Sequence, residues 1–169
     1  MSQPMEKPMP RQEALAKVRA WNAQTAALHA EPGTRVYDSS IAAGTSPTTG
    51  QKIYALPQDA DVRMSFNDAA AYVEQLNKNK TLGHDDWRLP DPEELQLLCG
   101  MQNTGAFSGT FNWASKPVDN TEGYAAPLYW SSLAYTQKWR TDKAKSINFK
   151  DGIPEIRFKM DRLCLRVIR

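Results

Sequence analysis

Apolar residues recur at helical spacing in three stretches of this chain and alternate with polar ones near its C-terminus, so helices are predicted first and strands last. Residues 1–10 carry three prolines and no period, and are expected to be a flexible arm. Leu15, Val18, Trp21, Thr25 and Leu28 then form one largely apolar stripe, which predicts a helix over Arg11–Ala30. The pattern stops at Glu31-Pro32-Gly33, so this N-terminal helix element closes at residue 31 and the domain proper is set at residues 32–169. The stripe is expected to dock on that domain, with another chain as the alternative partner.

Residues 33–63 mix short strand-like runs with turns, and Lys52 to Leu56 is the clearest strand among them. Ser65 predicts a helix start because its hydroxyl can cap free backbone amides, with Asp68 three residues on. Phe66, Ala69, Ala70, Val73 and Leu76 keep helical spacing after it. A third helix starts at Asp91, with Pro92 in the first helical position and Glu94 completing a capping box. Its Leu95 and Leu98 are expected to face inward, with Met101 as a further inward candidate. Residues 100–127 read as one long loop, in which Phe107, Phe111, Trp113 and Tyr124 argue against disorder. Beyond it the period becomes two. Leu128 to Ser132, Ser146 to Phe149, then Ile156, Phe158 and Met160, and finally Leu163, Leu165 and Val167 read as strands. Asp151-Gly152 supplies a hairpin turn. The expected fold class is α+β, closing on an antiparallel meander.

Composition narrows the function classes. At 169 residues the chain fits one domain that needs no disulfide or metal staple. A net charge of +2 gives no electrostatic case for nucleic acid, and no apolar run is long enough for a membrane span. The N-terminus lacks the apolar core of a secretory signal, which sets a cytoplasmic location as the expectation. Cys99 and Cys164 are too few for a disulfide framework and match no zinc spacing, so both are expected as buried free thiols.

Six short motifs stand in order along the chain: Phe66-Asn67-Asp68-Ala69, Asp86-Trp87-Arg88-Leu89-Pro90, Glu94-Leu95, Tyr129-Trp130-Ser131-Ser132, Phe149-Lys150-Asp151-Gly152 and Arg166-Val167-Ile168-Arg169. In this series the chain resembles the bacterial family named after the C-terminal domain of a Legionella collagen-like adhesin. The resemblance covers residues 48–169 and leaves the N-terminal helix outside. It implies a C-type-lectin-like fold, with two helices flanking a small irregular antiparallel sheet and long loops that bind. Related adhesins and the variable proteins of diversity-generating retroelements present binding surfaces on such a fold. Formylglycine-generating enzymes are more distant relatives. Many family members pair a helix cysteine with one in the last strand, and Val73 and Val167 stand at the matching positions here. That departure fits a reducing compartment. A second departure is Gly50-Gln51-Lys52-Ile53-Tyr54, where members often carry a Gly-Leu-Met-Trp-like strand.

The motif residues Trp87, Arg88, Leu89, Pro90, Tyr129, Trp130 and Arg166 are expected to be structural, Arg88 by bonding loop carbonyls with its planar fork. Two clusters are candidate ligand-binding sites. Phe107, Phe111, Trp113 and Tyr124 either meet a ligand or pin their loop to the sheet. Tyr135, Gln137, Lys138, Trp139 and Arg140 form either a protein-binding patch or a solvated hairpin tip. Asp119, Asn120 and Glu122 fall short of a calcium site, which needs six to eight oxygens, so no metal or cofactor is expected. The histidines are His29 and His84, neither with a nucleophile nearby in sequence, so no enzyme is expected. The leading expectation is a non-catalytic module that binds a protein partner through long loops, with a retroelement-diversified variable protein as one form of it. An adhesin or phage receptor-binding protein recognising a glycan or host protein is the alternative, and an enzyme distantly like the formylglycine-generating type is the third reading.

Overall fold

Local chemistry sets the helices. The computed structural model describes residues 10–111, 113, 127–137 and 139–169. Helix α1 spans Arg11–Leu28, α2 Phe66–Lys78 and α3 Pro92–Gly100. Ser65 caps α2 by accepting the Asp68 amide at 3.2 Å. At α3, Asp91 accepts the Glu94 amide while Glu94 accepts the Asp91 amide, and Pro92 opens the helix. This reciprocal cap is the one written in the sequence. Strands β1 (Ile41–Thr45) and β2 (Lys52–Ala55) form one antiparallel pair, and β3 (Leu128–Gln137), β4 (Arg140–Asn148) and β5 (Pro154–Phe158) form a three-stranded antiparallel meander. The class is α+β, with three helices and two small sheets among the described residues.

Two apolar clusters make most of the core. In one, Leu95 and Leu98 of α3 pack with Ile41, Ile53, Tyr129, Phe149 and Ile168. In the other, Trp87, Trp130, Leu163, Leu165 and Val167 pack beneath α2, with Val73 against them. Val73 and Val167 thus share a cluster where the family resemblance implies a bridge. Both cysteines are free and buried, and burial raises the Cys99 thiol pKa. The melting temperature is therefore expected to be the same with and without dithiothreitol. A fall of several degrees in reductant would reveal a bond that this packing does not contain.

Three expectations are corrected. First, the α1 stripe does not dock at home: Leu15, Val18, Trp21 and Leu28 are 48%, 56%, 70% and 53% exposed. The helix instead seats Ala27 against Ala42 and Tyr54, and the Tyr54 hydroxyl donates to the Ala27 carbonyl at 3.0 Å. Only small side chains allow that close approach. Second, the strand expected through Ile156, Phe158 and Met160 ends at Phe158, and all three side chains are exposed. Ile156 and Phe158 pair with lysines of β4 (Lys145↔Ile156, Lys143↔Phe158), and lysine heads stay wet. Third, residues 163–168 are not a further strand of the meander. All six are buried, and the segment bridges several elements in turn: Leu163 to Met64, Cys164 to Tyr129, and Ile168 to both Arg88 and Ala55. A segment enclosed on both faces needs apolar residues in both phases, which explains why Cys164 and Ile168 break the alternation.

The loop after α3 returns to the start of the domain. The Ala106 amide donates to the Gly33 carbonyl at 2.7 Å. Gly105 has φ +52°, and a Cβ there would lie 2.5 Å from that carbonyl oxygen. Glycine is required at this crossing by space as well as by conformation.

Candidate functional site

Of the motif residues, Trp87, Pro90, Tyr129, Trp130 and Arg166 are buried, and Arg88 and Leu89 are partly buried. Trp87 is buried; its indole donates to the Thr81 carbonyl at 2.9 Å, and Asn77 holds both its backbone amide and its carbonyl. Leu89 packs on the second cluster, and the Pro90 carbonyl accepts the Ser132 amide, pinning β3. Trp130 donates to the Met64 carbonyl and meets Phe66 edge-on. Arg88 differs from expectation. Its fork clamps the two carboxylate oxygens of Glu94 at 2.6 and 2.7 Å, with a longer bond to the Leu89 carbonyl. A planar guanidinium matches a carboxylate better than it matches scattered carbonyls. Burial alone would raise the Glu94 pKa, but bonds from Arg88, Ser46 and the Asp91 amide outweigh it and bring it down to about 2.

Arg166 is the centre of a second polar network, fully buried. Its Nε donates to Asp59 at 2.8 Å, its Nη1 to the Leu56 carbonyl, and its Nη2 to Thr110. The Tyr129 hydroxyl donates to the other Asp59 oxygen at 2.6 Å. Burial and Asp59 together push the tyrosine pKa far up, so it stays a donor. The Phe111 ring lies 3.9 Å from the Arg166 guanidinium. A third carboxylate, Asp38, receives Ser40, His84 at 2.8 Å and Arg169 at 2.6 Å. Burial opposes its charge, yet these bonds leave its pKa lowered.

Against this frame the loop aromatics separate. Phe107 is fully buried in the first cluster and offers no surface to a ligand, which removes it from the candidate site. Phe111 is half-buried among Phe107, Tyr129 and Phe149, and Trp113 is half-buried against the same cluster while its carbonyl accepts Arg63. These contacts pin the loop. Tyr124 lies outside the described residues, as do Lys138 and the weighed calcium ligands Asp119, Asn120 and Glu122. Among the described residues no group of three or more His, Cys, Asp or Glu is placed to hold a metal.

The second cluster belongs to a projecting arm. β3 is buried from Leu128 to Ser131, then runs outward, and its second half pairs with the start of β4. The register shifts between Trp130 and Ala134, where the arm leaves the core. Tyr135 and Gln137 are thus strand residues, Arg140 begins β4 opposite Gln137, and Trp139 stands in the turn at 90% exposure. Tyr135, Lys143 and Phe158 form one row across three strands, with the Lys143 ammonium 4.6 Å from the Phe158 ring. Lys145 and Ile156 form the adjacent pair on the same face. Beside it an open groove of about 480 Å³ is lined by Ser65, Asn67, Asp142, Phe158, Lys159 and Met160.

Ile156, Phe158, Met160, Lys143 and Lys145 are the surface residues that sequence reasoning missed. A signal for them exists: any hairpin centred near Asp151 sets Ile156 and Phe158 beside lysines, and that face must be wet. With aromatic, aliphatic and cationic groups and few acids, the face suits macromolecular contact. Both thiols lie inside the protein, away from it.

A family model described as the Lcl C-terminal domain matches residues 6–169. The match takes in α1, which the motif series had left outside. No curated protein matches the chain. No helix among the described residues is long and apolar enough to cross a membrane.

Proposed function

The chain belongs to the Lcl C-terminal domain family, and from that premise we propose that it is a non-catalytic binding module of C-type-lectin-like fold that takes a protein partner on the β3–β4 arm and the outer face of its sheet. The observation that carries this reading is Trp139, 90% exposed at the arm tip, on the same sheet as the exposed Leu133, Ile156 and Phe158. Tryptophan supplies large contact area at small entropy cost and is enriched where binding energy concentrates. Exposed apolar residues grouped on one face mark an interaction surface. Two buried free thiols and the Val73–Val167 cluster support a reducing, intracellular setting. The burial of both thiols also supports a non-catalytic role.

The test is a tagged pull-down from the native lysate, with and without EDTA, read by mass spectrometry. One stoichiometric protein, retained in EDTA, is the expected result. The Trp139→Ala, Phe158→Ala double variant should lose that partner by roughly 30-fold or more, as removal of a hot spot does. Its melting temperature should move little, since Trp139 is 90% and Phe158 44% exposed. Unchanged binding in a folded double variant would refute this surface, and capture lost in EDTA would point to metal-assisted glycan recognition.

A further inference from the structure

Charge is sorted by face on the meander sheet. Successive residues of a strand point to opposite sides, so Ile156 and Phe158 share one face of β5 while Glu155 and Arg157 share the other. On that second face the charges satisfy one another. Arg157 donates to Asp161 at 3.2 Å and lies 3.9 Å from Glu155, whose carboxylate also accepts the Asn148 side-chain amide. On the first face Lys143 and Lys145 stand beside Phe158 and Ile156, and among the described residues neither ammonium is paired with a carboxylate. The Lys143 ammonium lies over the Phe158 ring instead. Asp142 alternates away from both lysines and lines the neighbouring groove together with Lys159. The outer edge of β5 is closed. The Phe158 amide donates to the Asp161 carboxylate at 3.1 Å, the Phe158 carbonyl accepts the Asp161 amide at 2.9 Å, and Pro154 has no amide hydrogen to offer. A partner must therefore use the face, since the edge does not invite an added strand.

We propose that the protein partner meets this face with an acidic segment, a peptide stretch whose carboxylates pair with Lys143 and Lys145 while its apolar side chains cover Tyr135, Ile156 and Phe158. The inference rests on the binding reading given above and adds the partner's chemistry. Charge complementarity carries it. The face holds two cations without a carboxylate of their own, and acidic groups are what such a surface steers toward itself and orients. Lys143 and Lys145 are two residues apart on one strand, about 7 Å. Carboxylates two residues apart in an extended peptide repeat at the same about 7 Å, so one segment meets both lysines without bending. The mixture of side chains favours a peptide over a polyanion. A phosphate backbone is held by arrays of cations, whereas here two lysines are interleaved with an aliphatic and two aromatic side chains in adjacent rows.

Selection of a random dodecapeptide phage library on the immobilised full chain tests this chemistry. Peptides enriched on the wild type are expected to be rich in Asp and Glu and to carry aromatic or aliphatic residues among them. The most enriched peptide, synthesised with a fluorescein label, should bind the Lys143→Glu, Lys145→Glu variant about tenfold or more weakly. Its affinity for the wild type should fall as NaCl rises from about 50 to about 500 mM. Both lysines are partly exposed, so the melting temperature of the variant should move little. Lys143→Gln, Lys145→Gln is the gentler change and should give a smaller loss in the same direction. Enriched peptides without an excess of acids would overturn the proposal, as would acidic peptides that bind the charge-reversed variant equally well, or no enrichment at all. Peptides that need Trp139 and Phe158 but carry no acids would leave the binding surface standing and remove only its acidic partner. Peptides indifferent to all four positions would remove both. Sedimentation with phosphatidylserine vesicles that depends on the two lysines, with no acidic peptide enriched, would assign the face to a membrane surface and overturn the proposal as well.

Discussion

Replacing Arg166 by methionine is expected to remove about 3–5 kcal/mol of folding stability, read from urea unfolding followed by tryptophan fluorescence. The side chain is fully buried and donates to Asp59, Leu56 and Thr110. Methionine fills much of the volume but leaves the Asp59 carboxylate, also enclosed, without its guanidinium. Removing one partner of a buried ion pair costs more than the lost attraction alone. Arg166→Lys should also be destabilised, because one ammonium cannot reach three separated acceptors. The Arg166→Met, Asp59→Asn pair should cost less than the sum of its single variants, since the two side chains share one buried ion pair. If Arg166→Met does not fold, Tyr129→Phe gives a milder reading of the same network. It deletes only the donor to Asp59 and should cost about 1–2 kcal/mol. A loss below about 1 kcal/mol for Arg166→Met would show that the network contributes little.

The second large effect is acid sensitivity centred on Glu94. Its folded-state pKa is about 2 against an ordinary value of 4.5. A depressed pKa contributes stability that is present in full above the ordinary value and is lost as pH falls toward the folded one. The window is therefore about pH 4.5 down to about 2. The contribution is about 1–3 kcal/mol, below the ideal figure because Arg88 is 42% exposed and water screens the pair. Glu94→Gln should be less stable than wild type at pH 7, and the gap should close as pH falls below about 4, where wild type loses the same charge. Comparing the two proteins across that window isolates Glu94 from Asp38, whose pKa is also lowered. A gap that stays constant from pH 7 to pH 2.5 would contradict the assignment.

What could be read from the sequence depended on whether the deciding contact was local. Asp91, Pro92 and Glu94 act within one helical turn, so the cap of α3 was fully legible. The motif residues also declared themselves as supports, since Trp87, Trp130 and Arg166 are large side chains that must be satisfied when buried. A period was legible but its sign was not. Alternation at Ile156, Phe158 and Met160 marks a two-faced strand, and only the partner strand's Lys143 and Lys145 reveal which face is wet. The α1 stripe misled for a related reason. The usual expectation turns large apolar residues inward, whereas Tyr54 and Ala42 accept only alanines here. For Arg88, the planar fork was foreseeable, but its carboxylate partner lay on an element whose position the motif alone could not give. The candidate surface was half legible. Trp139 and Tyr135 announced it, while the Phe158 edge depended on strand register.

The enclosed segment from Leu163 to Arg169 has a consequence for the timing of folding. Arg166 reaches Asp59 across 107 positions, and Arg169 reaches Asp38 across 131. Ile168 bridges both Ala55 and Arg88. During synthesis these partners emerge early and wait while the rest of the chain is made. Until the segment leaves the ribosome, Trp87, Tyr129 and Trp130 lack the residues that cover them, and Asp59 lacks its arginine. Until that segment is made, the nascent chain must hold much of its apolar surface uncovered, a state prone to chaperone capture or aggregation. Closure is a long-range event, and contacts of such separation slow folding relative to local ones.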